Sequence, residues 1–248
     1  MTYCIAIKLS RHLVFVSDSR TNAGPDQVNT YSKMHTWGIP GERQFVLLSA
    51  GNLATTQAVT ARLQRDIEEG QPRNLFSLQH MDEIADYVGQ VNVEEQRRYL
   101  QNLHQAQFNA EASFLLGGQI AGKAPEIMLI YSQGNHITCS ELAPFLQIGE
   151  TKYGKPILDR IIRPETSMED AVRCALVSMD STMRSNVTVG PPIEIALLER
   201  DALQCVRRLR LDEDDPYLRA LRQAWNQRLL QAFAELPPLE KDAFRPCD

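Results

Sequence analysis

Thr2-Tyr-Cys-Ile-Ala-Ile-Lys-Leu-Ser-Arg-His-Leu-Val-Phe-Val-Ser-Asp-Ser-Arg20 is the stretch on which the reading turns. Residues 3–9 are rich in apolar side chains with the alternation of a half-buried strand. Ser10, Arg11 and His12 make a short polar turn, and residues 13–17 return as a second strand. A hairpin of this kind brings Asp18 back beside the strand that starts at Thr2. A polar loop with Asn22, Gly24 and Pro25 follows.

Working outward, residues 33–37 and 44–49 form another strand pair, joined across Gly38 and Gly41. Then the period changes. Val59, Leu63 and Ile67 recur every four residues between Asn52 and Gly70, where Gly70 and Pro72 stop a helix. Residues 75–105 hold a second helical region with Leu78, Ile84, Val88, Leu100 and Leu103 toward the core. Gly89 and Val91-Asn92-Val93 weaken it, so a bend or break is expected there. Strands resume at 112–116, 126–131 and 136–139, with Gln133-Gly134-Asn135 as a hairpin turn.

Residues 151–162 read as helix. Residues 168–185 form a clearer one, opened by Ser167 and Asp170 in the manner of a capping box. Strands at 193–199 and 202–209 follow. Helix pairs set between blocks of strands imply two stacked sheets between two helical layers. Asp215-Pro216 then starts a last helix, with Leu218, Leu221, Trp225, Leu229 and Phe233 in a stripe that ends before Pro237-Pro238.

The chain has 248 residues, 43% of them hydrophobic, a net charge of −5 and five scattered cysteines. That length suits one large domain with an appendage. The acidic balance argues against nucleic acid as the main partner. No apolar run reaches the length of a membrane span, and residues 1–12 lack the pattern of a signal peptide. Cys4, Cys139, Cys174, Cys205 and Cys247 show no zinc spacing, so no metal site is expected and a reducing cytoplasm is the simplest compartment.

Three residues suggest chemistry. Thr2 becomes the first residue once Met1 is removed. A threonine hydroxyl is a weak nucleophile that needs a base, and an N-terminal threonine carries one in its own α-amine. A cation beside it favours loss of the hydroxyl proton and lowers the amine pKa; a carboxylate holds that cation in place. Lys33 and Asp18 are the candidates. Singly, Thr2 reads as a strand start, Asp18 as a turn residue and Lys33 as an edge lysine. Gly51, in Ser49-Ala50-Gly51-Asn52, stands where a strand turns into a helix. Backbone N–H groups there suit an oxyanion, and a tight turn would equally need glycine. His35 reads as a packed or capping residue.

The spacing of Thr2, Asp18 and Lys33, with Ser17-Asp18-Ser19-Arg20, Lys33-Met34-His35, Ser49-Ala50-Gly51 and Thr56-Gln57-Ala58-Val59, resembles a proteasome β-subunit or HslV-type protease. Asp18-Ser-Arg-Thr-Asn-Ala-Gly24, Gln147-Ile-Gly-Glu-Thr-Lys-Tyr-Gly-Lys-Pro156 and Met179-Asp-Ser-Thr-Met-Arg-Ser185 are similar to the bacterial ancestral β-subunit (Anbu) group. The likeness spans nearly the whole chain.

The resemblance implies an α+β fold: the four-layer αββα sandwich of N-terminal nucleophile hydrolases over residues 1–212, with a C-terminal helix and tail over 213–248. It implies a threonine-type peptidase that hydrolyses amides through an acyl-enzyme without cofactor. Thr2 is then the nucleophile, Lys33 tunes it, Asp18 orients Lys33, and the Gly51 N–H stabilises the oxyanion. Thr151, Asp180 and Ser185 form a supporting polar shell. Two departures stand out. Glu150 occupies a position where relatives carry serine, and Asp180 and Ser185 are spaced more widely than their counterparts, with Ser181 a competitor. No propeptide precedes Thr2, so activation needs only a methionine aminopeptidase. The expected partners are a peptide or protein substrate and further copies of the chain in a ring or ring-like coil; an unfoldase is left open. A non-proteolytic amidase and a silent assembling scaffold remain as alternatives, since fold does not fix substrate.

Overall fold

Alternating apolar residues with only a three-residue polar break leave the N-terminal segment one low-energy option, a tight hairpin buried on both faces. In the computed structural model, which describes residues 1–22, 28–101, 109–204 and 206–239, that hairpin is β1 (Tyr3–Lys8) and β2 (His12–Asp18), with Cys4 opposite Ser17. After β3 (Arg20–Asn22) and β4 (Val28–Thr30) come β5 (Met34–Ile39), β6 (Arg43–Gly51), α1 (Leu53–Glu68) and α2 (Met81–Gln101). Next come β7 (Ala112–Ile120), β8 (Glu126–Ile130), β9 (His136–Thr138) and β10 (Phe145–Gly149). The helices α3 (Thr151–Ile161) and α4 (Met168–Ser185) precede β11 (Ile193–Glu199), β12 (Arg207–Leu211) and α5 (Pro216–Ala234).

Two five-stranded antiparallel sheets result, in the orders β10-β1-β2-β11-β12 and β5-β6-β7-β8-β9, with β3 and β4 a separate ribbon. Their inner faces meet through Cys4, Ala6, Leu13 and Phe15 on one side and Val46, Leu48, Leu115 and Ile127 on the other. The outer face of the second sheet packs Phe45, Leu47, Phe114 and Leu116 against Val59 and Leu63 of α1 and Ile84 and Val88 of α2. On the first sheet the alternate positions, Tyr3, Ile5, Val14 and Val16, are fully buried, and α4 packs on β1 and β2. The layers are therefore α, β, β, α. Each such large apolar side chain contributes about 1.5–3 kcal/mol on burial.

Helix ends follow their caps. Asn52 accepts from Thr55 N–H at the start of α1, and Ser167 accepts from Asp170 N–H at the start of α4. The second helix differs from its expected form. Asn74 Oδ1 accepts the amides of Phe76 and Ser77, which holds a turn, and Glu83 then caps the amides of Gln79 and His80. The helix therefore begins at Met81 rather than near Leu75. It also runs unbroken through Gly89. A Cβ there would lie 2.0 Å from the Gly134 carbonyl oxygen, so this glycine serves close packing on the β8–β9 turn rather than a bend. Leu100 is exposed, not a core contact.

Three strands escape the sequence pattern: β3, β4 and β10, the last paired along β1 with Tyr3 opposite Gly149. The final strand also starts later than residue 202, because Asp201 and Leu203 take left-handed φ values of 63° and 44° in a turn. Gly24, Pro25, Leu103, Cys205, Phe244 and Cys247 fall outside the described residues.

Chain contacts divide the molecule into two units, Met1–Glu213 and Asp214–Asp248. In the second, Asp215 caps α5 by accepting from the amides of Tyr217 and Leu218, with Pro216 in the first turn. Leu229, Leu230 and Phe233 of this helix are exposed in the single chain.

Candidate active site

The nucleophile candidate sits at the mouth of β1, held from both sides. The Thr2 carbonyl oxygen accepts the Glu150 N–H at 2.8 Å. The next amide, Tyr3 N–H, donates to Asp18 Oδ1 at 3.0 Å. Thr2 itself is buried to 8% exposure. The close approach of β10 requires Gly149, whose φ is +85° and whose hypothetical Cβ would fall 1.9 Å from the Thr2 oxygen.

Asp18 ends β2, and antiparallel pairing with β1 delivers it to this place. Its carboxylate is fully buried and meets three donors: Tyr3 N–H, Lys33 Nζ at 2.7 Å, and Gly190 N–H at 3.2 Å. Burial pushes the Asp18 carboxyl up from its ordinary range, and the Lys33 ammonium and the two amides oppose that. Lys33, just before β5, donates a second bond of 2.7 Å to the Arg20 carbonyl oxygen. An ammonium fixed between a carboxylate and a carbonyl has lost the freedom that makes most lysines imprecise.

The electrostatic effect reaches the chain terminus. The Met1 α-amine is lowered from its usual value, first by burial and then by the Lys33 charge, with Asp18 and Glu150 acting in the opposite sense. Removal of Met1 puts the new amine one residue closer to Lys33 and Asp18 along the chain.

A cavity of about 560 Å³ opens over these groups, lined by Thr2, Thr21, Ser32, Lys33, His35 and Gly51 among others. Gly51, at the end of β6, has φ +110°, and a Cβ would lie 2.3 Å from the Glu111 carbonyl oxygen. Among the described residues, Thr21 Oγ1 is buried without a hydrogen-bond partner. His35 stacks on Trp37 with centroids 6.0 Å apart, and burial lowers its pKa. A second cavity of about 350 Å³ shares Gly51 and Gly149 with the first and is lined by Ser113, Tyr131 and Thr151.

The structure thus gathers Thr2, Lys33 and Gly51 around one cavity, with Asp18 buried behind Lys33. Thr151 opens α3 and borders the adjoining cavity instead. Asp180 is buried within α4, and Ser185 is exposed at the last turn of that helix. Glu150, in the serine position, is buried at 8% exposure. Two groups at the site carried no sequence signal: the Gly190 amide and the Arg20 carbonyl. Backbone groups are the same in every residue, and only topology decides which of them arrive here. Among the described residues, no group of three or more His, Cys, Asp or Glu side chains is placed to hold a metal ion. No described helix is long and apolar enough to cross a membrane.

Comparison with known proteins gives a consistent answer. The proteasome subunit family model matches residues 2–198. Anbu, the ancestral β-subunit, from Yersinia bercovieri superposes with a TM-score of 0.89 at 42% identity, over 96% of this chain and 99% of that one. Anbu from Hyphomicrobium sp. strain MC1 gives 0.87 and 42%, over 96% and 99%. The helical assembly of the Anbu complex from Pseudomonas aeruginosa gives 0.90 and 42%, over 97% and 99%. Nothing among curated protein sequences matches. Matched by the family model over most of its length, and by Anbu structures over nearly all of it, the chain belongs to the proteasome-subunit family and, within it, to the Anbu group.

Proposed function

We propose that this chain is a threonine-type amide hydrolase whose nucleophile is Thr2 after removal of Met1. One observation carries the reading. Thr2 shares a cavity with an ammonium, Lys33, that is locked 2.7 Å from a fully buried carboxylate, Asp18. A buried charge pair costs desolvation, and its usual worth to stability is small. Its placement beside a strand-start hydroxyl, with a cation next to the terminus that would bear the free amine, suits nucleophile activation.

In the proposed reaction the neutral Thr2 amine, directly or through water, takes the Oγ proton as Oγ attacks the carbonyl carbon. The Gly51 N–H faces the oxyanion. Collapse of the tetrahedral adduct breaks the C–N bond, the leaving nitrogen receives the proton, and an ester on Thr2 remains. Water, deprotonated by the same amine, then attacks the ester, releases the acid and restores the hydroxyl. Thr151, Asp180 and Ser185 stay in the proposal as a supporting shell, with Thr151 nearest the cavities. Assembly into a homo-oligomer goes with this reading, because a relative from Pseudomonas aeruginosa forms a helical assembly.

Intact-mass analysis with a threonine-directed covalent inhibitor tests the function. The expected result is a chain lacking Met1 that gains one inhibitor mass, and a Thr2→Ala chain that folds and gains none. Labelling that persists in Thr2→Ala would place the nucleophile elsewhere.

A further inference from the structure

The residue after the nucleophile candidate is tied at both ends. Tyr3 N–H donates to the same Asp18 oxygen that receives Lys33. Its ring crosses to the helical layer on the other side of the sheet, where it is fully buried. There the hydroxyl lies 2.7 Å from Ser178 Oγ of α4 and receives a close hydrogen bond from Gln147 Nε2 of β10. Gln147 also reaches toward the Thr151 carbonyl of α3, at 3.5 Å. The third helical element leaves room for this junction: a Cβ on Gly154 would lie 2.3 Å from the Tyr3 hydroxyl and 2.2 Å from Ser178 Oγ.

A phenol in an apolar layer needs partners, since a buried unsatisfied hydroxyl is costly. A phenylalanine would fill the same space with no such demand. The hydroxyl therefore does something packing does not require: it pins the strand that bears Thr2 to β10, α3 and α4 at a single point. Two atoms of one residue thus tie β1 to β2 and to the helical layer beside the site.

We infer that Tyr3 is a positioning residue: its hydroxyl, held by Ser178 and Gln147, fixes the Thr2 hydroxyl and amine against Lys33 and Asp18. This rests on the function proposed above. The charged groups that act on the Met1 amine are Lys33, Asp18 and Glu150. The titratable groups coupled to the phenol are Cys174 of α4 and Cys4, its neighbour along β1, both neutral thiols raised by burial. Burial raises the phenol far above its ordinary value, so it remains a neutral hydrogen-bonding group throughout the working range. Displacements of about 1 Å at a reacting group cost up to a hundredfold in rate.

The test compares wild type with Tyr3→Phe and Ser178→Ala, each in full-length protein freed of Met1. Three readouts are taken: thermal unfolding, the rate of inhibitor labelling at Thr2 across pH, and the pKa of the Thr2 amine by NMR of threonine-labelled protein. In Tyr3→Phe the labelling rate should fall about tenfold or more, and the amine pKa should move up toward its ordinary value as Lys33 loses its alignment. Ser178→Ala, which keeps the Gln147 bond, should fall between. A purely structural tyrosine would lower the unfolding temperature and leave the amine pKa and the pH profile where they were; that result overturns the inference. If wild type is not labelled, the proposed function fails, and the amine pKa still decides the positioning role.

Discussion

Lys33 donates through Nζ to Asp18 Oδ1 over 2.7 Å, with side-chain exposures of only 8% and 0%. A pair so enclosed behaves differently from a surface salt bridge, because neither charge has water to fall back on. Removing one partner strands the other, at a cost of about 3–5 kcal/mol. Lys33→Ala is therefore expected to lower the unfolding temperature and to abolish inhibitor labelling. Lys33→Arg should keep more stability and a trace of labelling, because a planar guanidinium cannot set a point charge where an ammonium sat. Asp18→Asn should follow the same direction by releasing Lys33. Near wild-type labelling in Lys33→Ala would show that the lysine is structural.

The Lys33 cation beside the chain terminus sets an expected pH profile. If the Thr2 amine is the base, labelling should rise with pH through an inflection below about 8, the ordinary α-amine value, and then level off. Lys33→Ala should move that inflection upward, since a neighbouring cation lowers the amine. Stability has its own sign in a chain that keeps Met1. Its amine is lowered in the folded state by burial and then by Lys33. Between the lowered value and the ordinary one the unfolded chain holds more protons, so stability should climb with pH across that window. Denaturant titrations at pH values on either side of the window measure it.

Gly51→Ala should fail structurally as well as catalytically. At φ +110° a side chain is strained, and its Cβ would meet the Glu111 carbonyl oxygen at 2.3 Å. That oxygen also accepts the Asn52 N–H at 2.9 Å, so a shift there disturbs the cap of α1. A loss of about 1–3 kcal/mol is expected, read by denaturant unfolding, together with lost labelling. A wild-type unfolding midpoint would remove the argument for glycine at this position.

Assembly is expected to depend on α5. Leu229, Leu230 and Phe233 are exposed there in the single chain, and apolar side chains gathered on one element usually mark an interaction surface. Because β12 runs to Leu211, the informative truncation ends after Glu213 and leaves the sheet intact. Sizing should show the full chain as a large species and the truncated chain as a smaller, folded one. An unchanged elution position would mean that α5 has no part in assembly.

Much of this architecture was legible because its signals are local. The alternation in β1 and β2, the Asn52 cap of α1 and the Ser167–Asp170 start of α4 are each written in a few adjacent residues. What the pattern missed is non-local. Residues 145–149 become a strand only because β1 offers an edge to pair with, and Gly89 looks like a helix breaker until the hairpin it packs against is in view. The site divides in the same way. Asp18 and Lys33 could be read from spacing and charge, whereas the Gly190 amide and the Arg20 carbonyl are backbone groups without a side-chain signature. The Tyr3 phenol was hidden for another reason: in an alternating strand, an aromatic residue looks like ordinary core.

β1 lies between β2 and β10, and this carries a consequence for the order of events during synthesis. β2 follows within a few residues of β1, but β10 comes from residues 145–149. At about 5–20 residues per second, a ribosome needs roughly seven to thirty seconds to reach them. For that interval the strand edge beside Thr2 stays open, and an aminopeptidase meets Met1 on a loose end. Once β10 zips on, Glu150 N–H holds the Thr2 carbonyl at 2.8 Å and fixes the backbone just past the Met1–Thr2 bond. Methionine excision is therefore expected to race chain elongation. Protein made without aminopeptidase and exposed to it only after folding should retain Met1 by intact mass, while protein made in its presence should not. Equal processing in both would show that β1 opens freely in the finished fold.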